Sequence, residues 1–366
     1  MLLTVITFLL VLSVLVLVHE GGHFLAAKKA GIKVEEFGVG YPPRIFARKI
    51  GGTEYSLNLL PLGGFVRLYG EDNLNTQARA SFWAQSKKAR ASVIFAGVTM
   101  NFLLAIFVFA AVYSVTGLPV KTTKVNIVGV VPGSPADQAG LKVDQRITAL
   151  DGVAVKNTDD FIDLTRGKLG REVVLEVDGQ AVKITPRQEA PAGEGPLGVV
   201  ISSLEMKHYP FYQMIPLGIA EGFKEAVGWG QLILASLGKM FLELFTLGRV
   251  PKDVAGPLGI LQITSGVAKT GWLAVAQFMG ILSVNLAVIN ILPFPALDGG
   301  RLVFLIYELV TRRRPRSGVE RWVNTAGMAT LLFLIMLVTI GDVSRLFSTT
   351  AFGQQLSSQF RSLWPF

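Results

Sequence analysis

The sequence His19-Glu20-Gly21-Gly22-His23 places two histidines four residues apart, with a glutamate after the first. On a helix, side chains at i and i+4 share one face about 5–6 Å apart, so both imidazoles can bind one zinc ion. The glutamate can then take a proton from the metal-bound water. The chain has only three histidines, and this motif uses two of them. We predict a hydrolytic zinc site; the alternative is a pair of packed helix histidines.

The third zinc ligand is predicted to be a carboxylate, because the chain has no cysteine and a catalytic zinc site has three protein ligands. His208, beside Tyr209-Pro210, is interpreted as a residue at the membrane interface. Asp298 is the stronger candidate. It follows an apolar run broken by Pro293 and Pro295, and non-helical backbone at membrane depth is tolerated inside a protein cavity. The alternative for Asp298 is a turn that ends a helix at the interface.

Composition indicates an integral membrane protein. Hydrophobic residues make up 51% of the 366 residues and charged residues only 17%, whereas soluble domains are about 25% charged. This composition excludes disordered, collagen-like and coiled-coil classes. The formal net charge of +9 falls between the apolar runs, which favours orientation in a membrane over nucleic-acid binding. The absence of cysteine excludes disulfides and thiol catalysis.

Four uncharged stretches are long enough to cross about 30 Å of hydrocarbon. The first is residues 1–18, continuing as a helix to Ala27, and the second is about residues 91–118. The third lies between Lys269 and Asp298, and the fourth lies between Arg321 and Asp342. A cleaved signal peptide is the alternative for the first, but a basic N-terminal region and a small-residue cleavage site are missing. Residues 210–248 are apolar with scattered charges. We predict amphipathic helices on the outer leaflet there, with a fifth span as the alternative.

Basic residues predict the orientation of these spans. They cluster between spans one and two and between spans three and four (Lys28, Lys29, Lys33, Arg44, Arg48, Lys49, Lys87, Lys88 and Arg90; Arg312, Arg313, Arg314, Arg316 and Arg321). Both segments should be cytoplasmic by the positive-inside rule. With four spans, both termini and residues 119–270 are then extracytoplasmic.

Residues 121–205 predict a small α+β domain, because short β-branched runs alternate with turns such as Asp151-Gly152. Ser134-Pro135 marks a helix start. The stretch 128–141, followed by Arg146-Ile147, resembles a bacterial PDZ domain. Asp144-Gln145 departs from the Gly-Asp usual before that Arg-Ile pair. Such a domain implies binding of peptide C-termini by β-augmentation.

Together these motifs resemble the site-2 protease family of intramembrane zinc metalloproteases, nearest to the bacterial regulator-of-sigma-E type with a PDZ domain. The resemblance covers nearly the whole chain, including the histidine motif, residues 290–300 and Gly256-Pro-Leu-Gly-Ile260. It implies that His19, His23 and Asp298 bind Zn²⁺ and that Glu20 is the catalytic base. It also implies substrate positioning by Asn290, for which Asn285 and Asn101 are further candidates. One domain of PDZ type is present here, where some members have two.

Residues 55–69 alternate strand-like runs around Pro61 and Gly63-Gly64. The resemblance implies a membrane-associated hairpin near the active site, where edge-strand addition would hold the substrate extended. An ordinary cytoplasmic hairpin is the alternative. In the second span, Gly97 and Asn101 lie one turn apart, and close helix packing by Gly97 competes with a cavity-facing Asn101.

The sequence is thus read as a polytopic α-helical membrane protein of about four transmembrane helices with one inserted α+β PDZ-like domain. We expect boundaries at 1–120, 121–205, 206–270 and 271–366. The expected function is regulated cleavage of single-span proteins, such as anti-sigma factors or signal-peptide remnants, in the bacterial cytoplasmic membrane after a first cut by another protease. Alternatives are a catalytically silent PDZ-containing scaffold and a zinc transporter, but these spans lack the polar residues that a transporter distributes along them.

Overall fold

The computed structural model describes residues 2–71, 78–191, 193–248, 256–314 and 317–349. Contacts divide the chain into two compact units, Met1–Val112 with Gly218–Phe366 and Tyr113–Leu217. The first unit begins with α1 (Leu2–Lys29), β1 (Val34–Ile50), β2 (Thr53–Leu68), a short 3-10 helix (Phe82–Ala84) and α2 (Lys87–Thr116), which ends in the second unit. It continues with α5 (Phe211–Leu247), which begins in the second unit, and with α6 (Pro257–Thr270), α7 (Trp272–Ile291), α8 (Asp298–Thr311) and α9 (Ser317–Thr349). The second unit holds β3 to β8 with α3 and α4.

Four described helices are long and apolar enough to cross a membrane, as the sequence predicts. They are Leu2–Lys29, Lys87–Thr116, Trp272–Ile291 and Gly318–Val343. At 1.5 Å per residue even the 20-residue α7 reaches about 30 Å, the thickness of the hydrocarbon core. The chain is therefore a polytopic membrane protein.

Helix α5 is one continuous helix of 37 residues. It is not among the four described helices whose length, hydropathy and low charge would let them cross a membrane. It nevertheless packs against two that do. A Cβ at Gly222 would lie 2.7 Å from the carbonyl oxygen of Ile106 in α2, and one at Gly230 would lie 3.8 Å from Val284 and Val288 in α7. The outer-leaflet location of 206–270 stays a prediction, but these contacts place part of α5 beside the span helices.

The two long strands between α1 and α2 fold back on themselves. The stretch from Glu36 to Val39 pairs antiparallel with Glu54–Leu57 on one side and with Gly64–Arg67 on the other. The arrangement resembles four short strands, with residues 64–68 at one outer edge. Leu68 packs with Ala27 of α1 in a buried apolar cluster, so this edge is held against the helix that carries the histidines.

A buried carboxylate stabilises this curled hairpin. Glu36 is 2% exposed, accepts a 2.6 Å hydrogen bond from Ser56, and forms a 2.7 Å ion pair with Arg44. A buried carboxylate is tolerated only when paired in this way. The pairing ties the bend after Tyr41 to the strands on either side.

The second unit contains a six-stranded antiparallel sheet of order β7-β6-β4-β3-β8, with β5 paired to β4. Its elements are β3 (Leu118–Val130), α3 (Pro135–Gln138), β4 (Arg146–Leu150), β5 (Val153–Ala154), α4 (Thr158–Arg166), β6 (Val173–Val177), β7 (Gln180–Ile184) and β8 (Val199–Lys207). Strands predicted at 125–131, 146–150, 173–177 and 181–185 correspond to β3, β4, β6 and β7, and the helices predicted to start at Ser134 and Thr158 correspond to α3 and α4. The structure adds the short strand β5 and the strand β8, which lies at the edge of the sheet. The structure thus confirms the predicted α+β class, as one sheet with two helices.

Local chemistry explains where these elements begin. The Ser134 hydroxyl accepts from the backbone N–H of Asp137 at the start of α3, and the Asn157 side chain caps α4 in the same way. Asp151 adopts a positive φ of 48°. Lys168 donates a hydrogen bond to the Asp151 carboxylate, and this bond lowers the pKa of Asp151. The same bond holds the turn against the segment after α4.

Candidate metal centre

Helix α1 presents both motif histidines on one face. His19 is 8% exposed, and its Nε2 lies 3.1 Å from Nε2 of His23. The ring centroids are 4.8 Å apart and nearly perpendicular. The i, i+4 spacing therefore brings one nitrogen of each ring to the same point beside the helix.

Asp298 reaches the same point from the other end of the chain. Its Oδ2 lies 3.0 Å from Nε2 of His19 and 3.2 Å from Nε2 of His23. Helix α7 ends at Ile291 and α8 begins at Asp298, so the break around Pro293 and Pro295 forms the turn that presents the carboxylate.

Glycines allow this turn to be compact. A Cβ at Gly299 would lie 2.0 Å from the carbonyl oxygen of Leu292, and one at Gly300 would lie 2.4 Å from that of Phe294. Helix α9 closes over the turn at Gly327, where a Cβ would come within 2.3 Å of Pro295. Any larger residue at these positions would push the turn, and Asp298 with it, out of place.

The three ligand atoms fit a tetrahedral zinc ion. Nitrogen and oxygen ligands bound at about 2.0–2.1 Å lie about 3.3 Å apart in that geometry, close to the 3.0–3.2 Å separations seen here. The neighbouring helix leaves room beside them at Gly97. A Cβ there would lie 2.4 Å from Nε2 of His23 and 2.7 Å from Nε2 of His19. The residues present thus fit a metal ion.

Helix α2 also orients both imidazoles. His23 Nδ1 lies 2.8 Å from the carbonyl oxygen of Val93, to which Nδ1–H donates, leaving Nε2 free as a ligand. The buried amide of Asn101 lies 3.3 Å from Nδ1 of His19, while its Oδ1 has no partner among the described residues. Turning the amide over lets Nδ1–H of His19 donate to that oxygen, which again frees Nε2.

Glu20 lines a cavity of about 180 Å³ together with both histidines and Asp298. The outer hairpin edge contributes Gly64, Phe65, Val66 and Leu68 to the same wall. The carboxyl group of Glu20, three possible ligand atoms and the outer edge of the hairpin therefore line the same cavity.

A buried ion pair anchors α8. Arg90 of α2 donates two hydrogen bonds, of 2.8 and 3.0 Å, to the carboxylate of Glu308. Arg90 is 2% and Glu308 5% exposed, and Trp83 lies against the guanidinium. Removal of one partner of such a pair costs about 3–5 kcal/mol, because the other charge stays buried. The pair fixes the helix whose first residue is Asp298.

The other candidates lie outside this cluster. His208 belongs to the second unit, where its Nε2–H donates to the carbonyl oxygen of Val115 at 3.1 Å. Asn285 and Asn290 are half-buried on α7 and are not among the described residues that line the 180 Å³ cavity. Their role in substrate positioning stays a prediction, as does that of Asn101, whose amide contacts His19.

Sequence reasoning overlooked Val93, Arg90 and Glu308. A backbone carbonyl leaves no trace in a residue pattern. The two charged residues were detectable as rare ionisable groups at the ends of apolar helices, although their pairing depends on helix packing.

Comparison with known proteins places this geometry in a family. A model of Peptidase family M50 matches residues 7–334. A Clostridium perfringens protein named as a zinc metalloprotease is 35% identical over 340 residues, covering 92% of this chain and 97% of the relative. A similarly named Rickettsia conorii protein is 30% identical over 366 residues, covering 94% and 100%. The zinc metalloprotease RasP of Oceanobacillus iheyensis is 27% identical over 434 residues, covering 94% and 99%.

The family match covers the metal centre, the second and third apolar helices and most of the first and fourth, and it confirms the predicted family. The chain belongs to Peptidase family M50, the site-2 protease family, and is a zinc-dependent intramembrane metalloprotease of a bacterial membrane that acts on membrane proteins.

Proposed function

We propose that His19, His23 and Asp298 hold the zinc ion and that Glu20 is the general base of peptide hydrolysis. The convergence of three ligand atoms at 3.0–3.2 Å beside Gly97 carries this assignment. When bound, zinc polarises the scissile carbonyl and acidifies water. Glu20 removes the proton from the attacking water and returns it to the leaving amine.

The curled hairpin orients the substrate. A membrane-spanning helix must unwind locally before its amide can be attacked, because its backbone groups are otherwise paired within the helix. The outer strand edge at residues 64–68 lies in the wall of the catalytic cavity and pairs only on its inner side, with β1, among the described residues. A substrate strand added there would be extended and held beside Glu20.

The proposed substrates are single-span proteins already shortened by another protease, such as anti-sigma factors or signal-peptide remnants. The second unit would select them. Its edge strand β8 has exposed apolar side chains, with Val200 55% and Met206 59% exposed, and such an edge can take up a peptide C-terminus as an added strand. A catalytically silent scaffold is disfavoured, since it would need neither Glu20 nor the metal ligands.

The test is cleavage of a model single-span substrate in reconstituted vesicles. The wild type is expected to cut within the span, as located by product mass, and a chelator to stop it. Deletion of residues 121–203 should leave cleavage of a short, pre-trimmed substrate intact and permit cleavage of a long one, because the domain discriminates between substrates. A zinc-loaded, folded deletion variant that cuts neither would show that the domain positions the substrate instead.

We also propose that the second unit and both termini are extracytoplasmic, on the strength of the basic clusters. The natural chain has no cysteine, so single introduced cysteines report location cleanly. Cysteine in place of exposed Ser86 should react with an impermeant maleimide only from the cytoplasmic side, and cysteine in place of exposed Asp159 only from the other side. Labelling of the second position from the cytoplasm would invert the proposed topology.

A further inference from the structure

A groove of about 750 Å³ opens beside the catalytic cavity in the first unit. Glu71, Ala296, Leu297 and Arg301 line both spaces. The remaining lining of the groove comes from α9: Glu320, Arg321, Asn324, Thr325, Met328, Ala329 and Leu332. The two spaces are thus neighbours that share one wall.

The shared wall contains an ion pair between Arg301, one turn after Asp298, and Glu71. The other carboxylate oxygen of Glu71 accepts from the backbone N–H of Leu68 at 3.4 Å. The hairpin edge therefore ends at the junction of the catalytic cavity with the groove. A strand running along that edge past Leu68 would arrive at the groove.

The groove is larger than the catalytic cavity. Its volume is about 750 Å³, against about 180 Å³ for the cavity. An endopeptidase must accommodate chain on both sides of the scissile bond, and the groove offers room for one side next to Asp298.

The groove changes character along its length. Met328 and Leu332 form an exposed apolar wall, at 46% and 59% exposed, whereas Glu320 and Arg321 lie about two to three turns nearer the start of α9. The end of a membrane-spanning segment shows the same change, from apolar residues to charged flanking residues.

Acceptors in the groove lack donors. Asn324 Oδ1 is buried and has no hydrogen-bond partner among the described residues. Glu320 is half-buried, and no described group donates to its carboxylate. The groove lining also holds two arginines, but Arg301 is paired with Glu71 and Arg321 is exposed. A bound segment that supplies N–H groups and a positive charge would satisfy Glu320 and Asn324.

We propose that this groove is a substrate subsite for the polar flank of the cleaved span, with Glu320 and Asn324 accepting from a lysine or arginine of that flank. The inference rests on the proposed proteolysis. It assigns the enzyme a preference for spans that end in basic residues.

The test uses three model substrates with the same span: one with a basic flank, one with an acidic flank, and one truncated before the flank. The wild type should cut the basic-flank substrate at least about tenfold faster than the acidic one, as kcat/KM. Glu320→Lys should reverse that preference, a rescue that mere structural damage would not produce.

A matched pair of variants tests occupancy. Ala329→Trp fills the groove and should reduce cleavage of the basic-flank substrate to the rate of the truncated one, chiefly through KM. Thr330→Trp, one residue along the helix and outside the groove lining, should leave all rates unchanged.

Two results would overturn the groove proposal. One is an equal ratio of cleavage rates for the basic and acidic flanks in wild type and Glu320→Lys. The other is the same set of cleavage rates in Ala329→Trp and Thr330→Trp, the result expected if the groove holds a lipid acyl chain instead of substrate. Failure of the wild type to cut any of the three substrates would instead contradict the proposed proteolysis.

Discussion

Gly97→Ala is expected to abolish zinc binding and, with it, proteolysis. The added methyl group would lie 2.4 Å from Nε2 of His23 and 2.7 Å from Nε2 of His19, well inside van der Waals contact. The two rings would have to turn away, and the three ligand atoms would separate. We expect metal content to fall from about one zinc per chain to near zero, as measured by elemental analysis of the purified protein. Activity should fall by at least about a hundredfold.

Gly228→Ala is the control for this substitution. Gly228 is also helical, but a Cβ there meets no other atom within 4 Å. Both variants add the same methyl group to an apolar helix, so both should retain helical circular dichroism. Full zinc content and normal cleavage in folded Gly97→Ala would show that the metal does not lie beside α2.

Glu20→Gln is expected to separate metal binding from catalysis. The amide is nearly isosteric with the carboxylate but cannot accept the proton of the attacking water. A general base contributes typically 10²–10⁴-fold, so cleavage of a reconstituted span should fall by at least about a hundredfold while zinc content stays near one per chain.

Two further variants complete that experiment. Asp298→Ala removes the proposed third ligand, whose Oδ2 lies 3.0 Å from Nε2 of His19, and it should lose zinc and activity together. His208→Ala removes only a hydrogen bond to Val115, and it should keep both. Near-normal turnover in Glu20→Gln would remove this residue from the mechanism. Equal zinc loss in Asp298→Ala and His208→Ala would mean that the third ligand is misassigned.

Local patterns predict the parts of this molecule that depend on short stretches of chain. The i, i+4 histidines, the four apolar helices and the strands at 146–150 and 173–177 follow from periodicity and turn residues. Even Asp298 is accessible to this reasoning, because two prolines mark the break before it.

Features that depend on packing between distant elements are not predictable in this way. The sequence suggests only that Gly97 or Asn101 faces a partner; in the structure Gly97 lies against both histidines and Asn101 against His19. The double pairing of residues 36–39 in the hairpin depends on a bend that alternation of residue types cannot reveal. Edge strand β8 was missed because Val199–Lys207 follows a loop rich in proline and glycine, without a hairpin turn to mark it.

The sequence positions of the proposed ligands carry a consequence for folding. His19 and Asp298 are 279 residues apart, so a zinc ion held by both would close a loop that contains most of the chain. The protein has no cysteine and therefore no disulfide, so this metal bridge would act as a cross-link between the first apolar helix and the C-terminal part of the polypeptide. Closing so long a loop restricts the unfolded chain strongly. All three groups can hold the metal together only after the chain has been synthesised as far as Asp298, so the first apolar helix alone cannot complete the site.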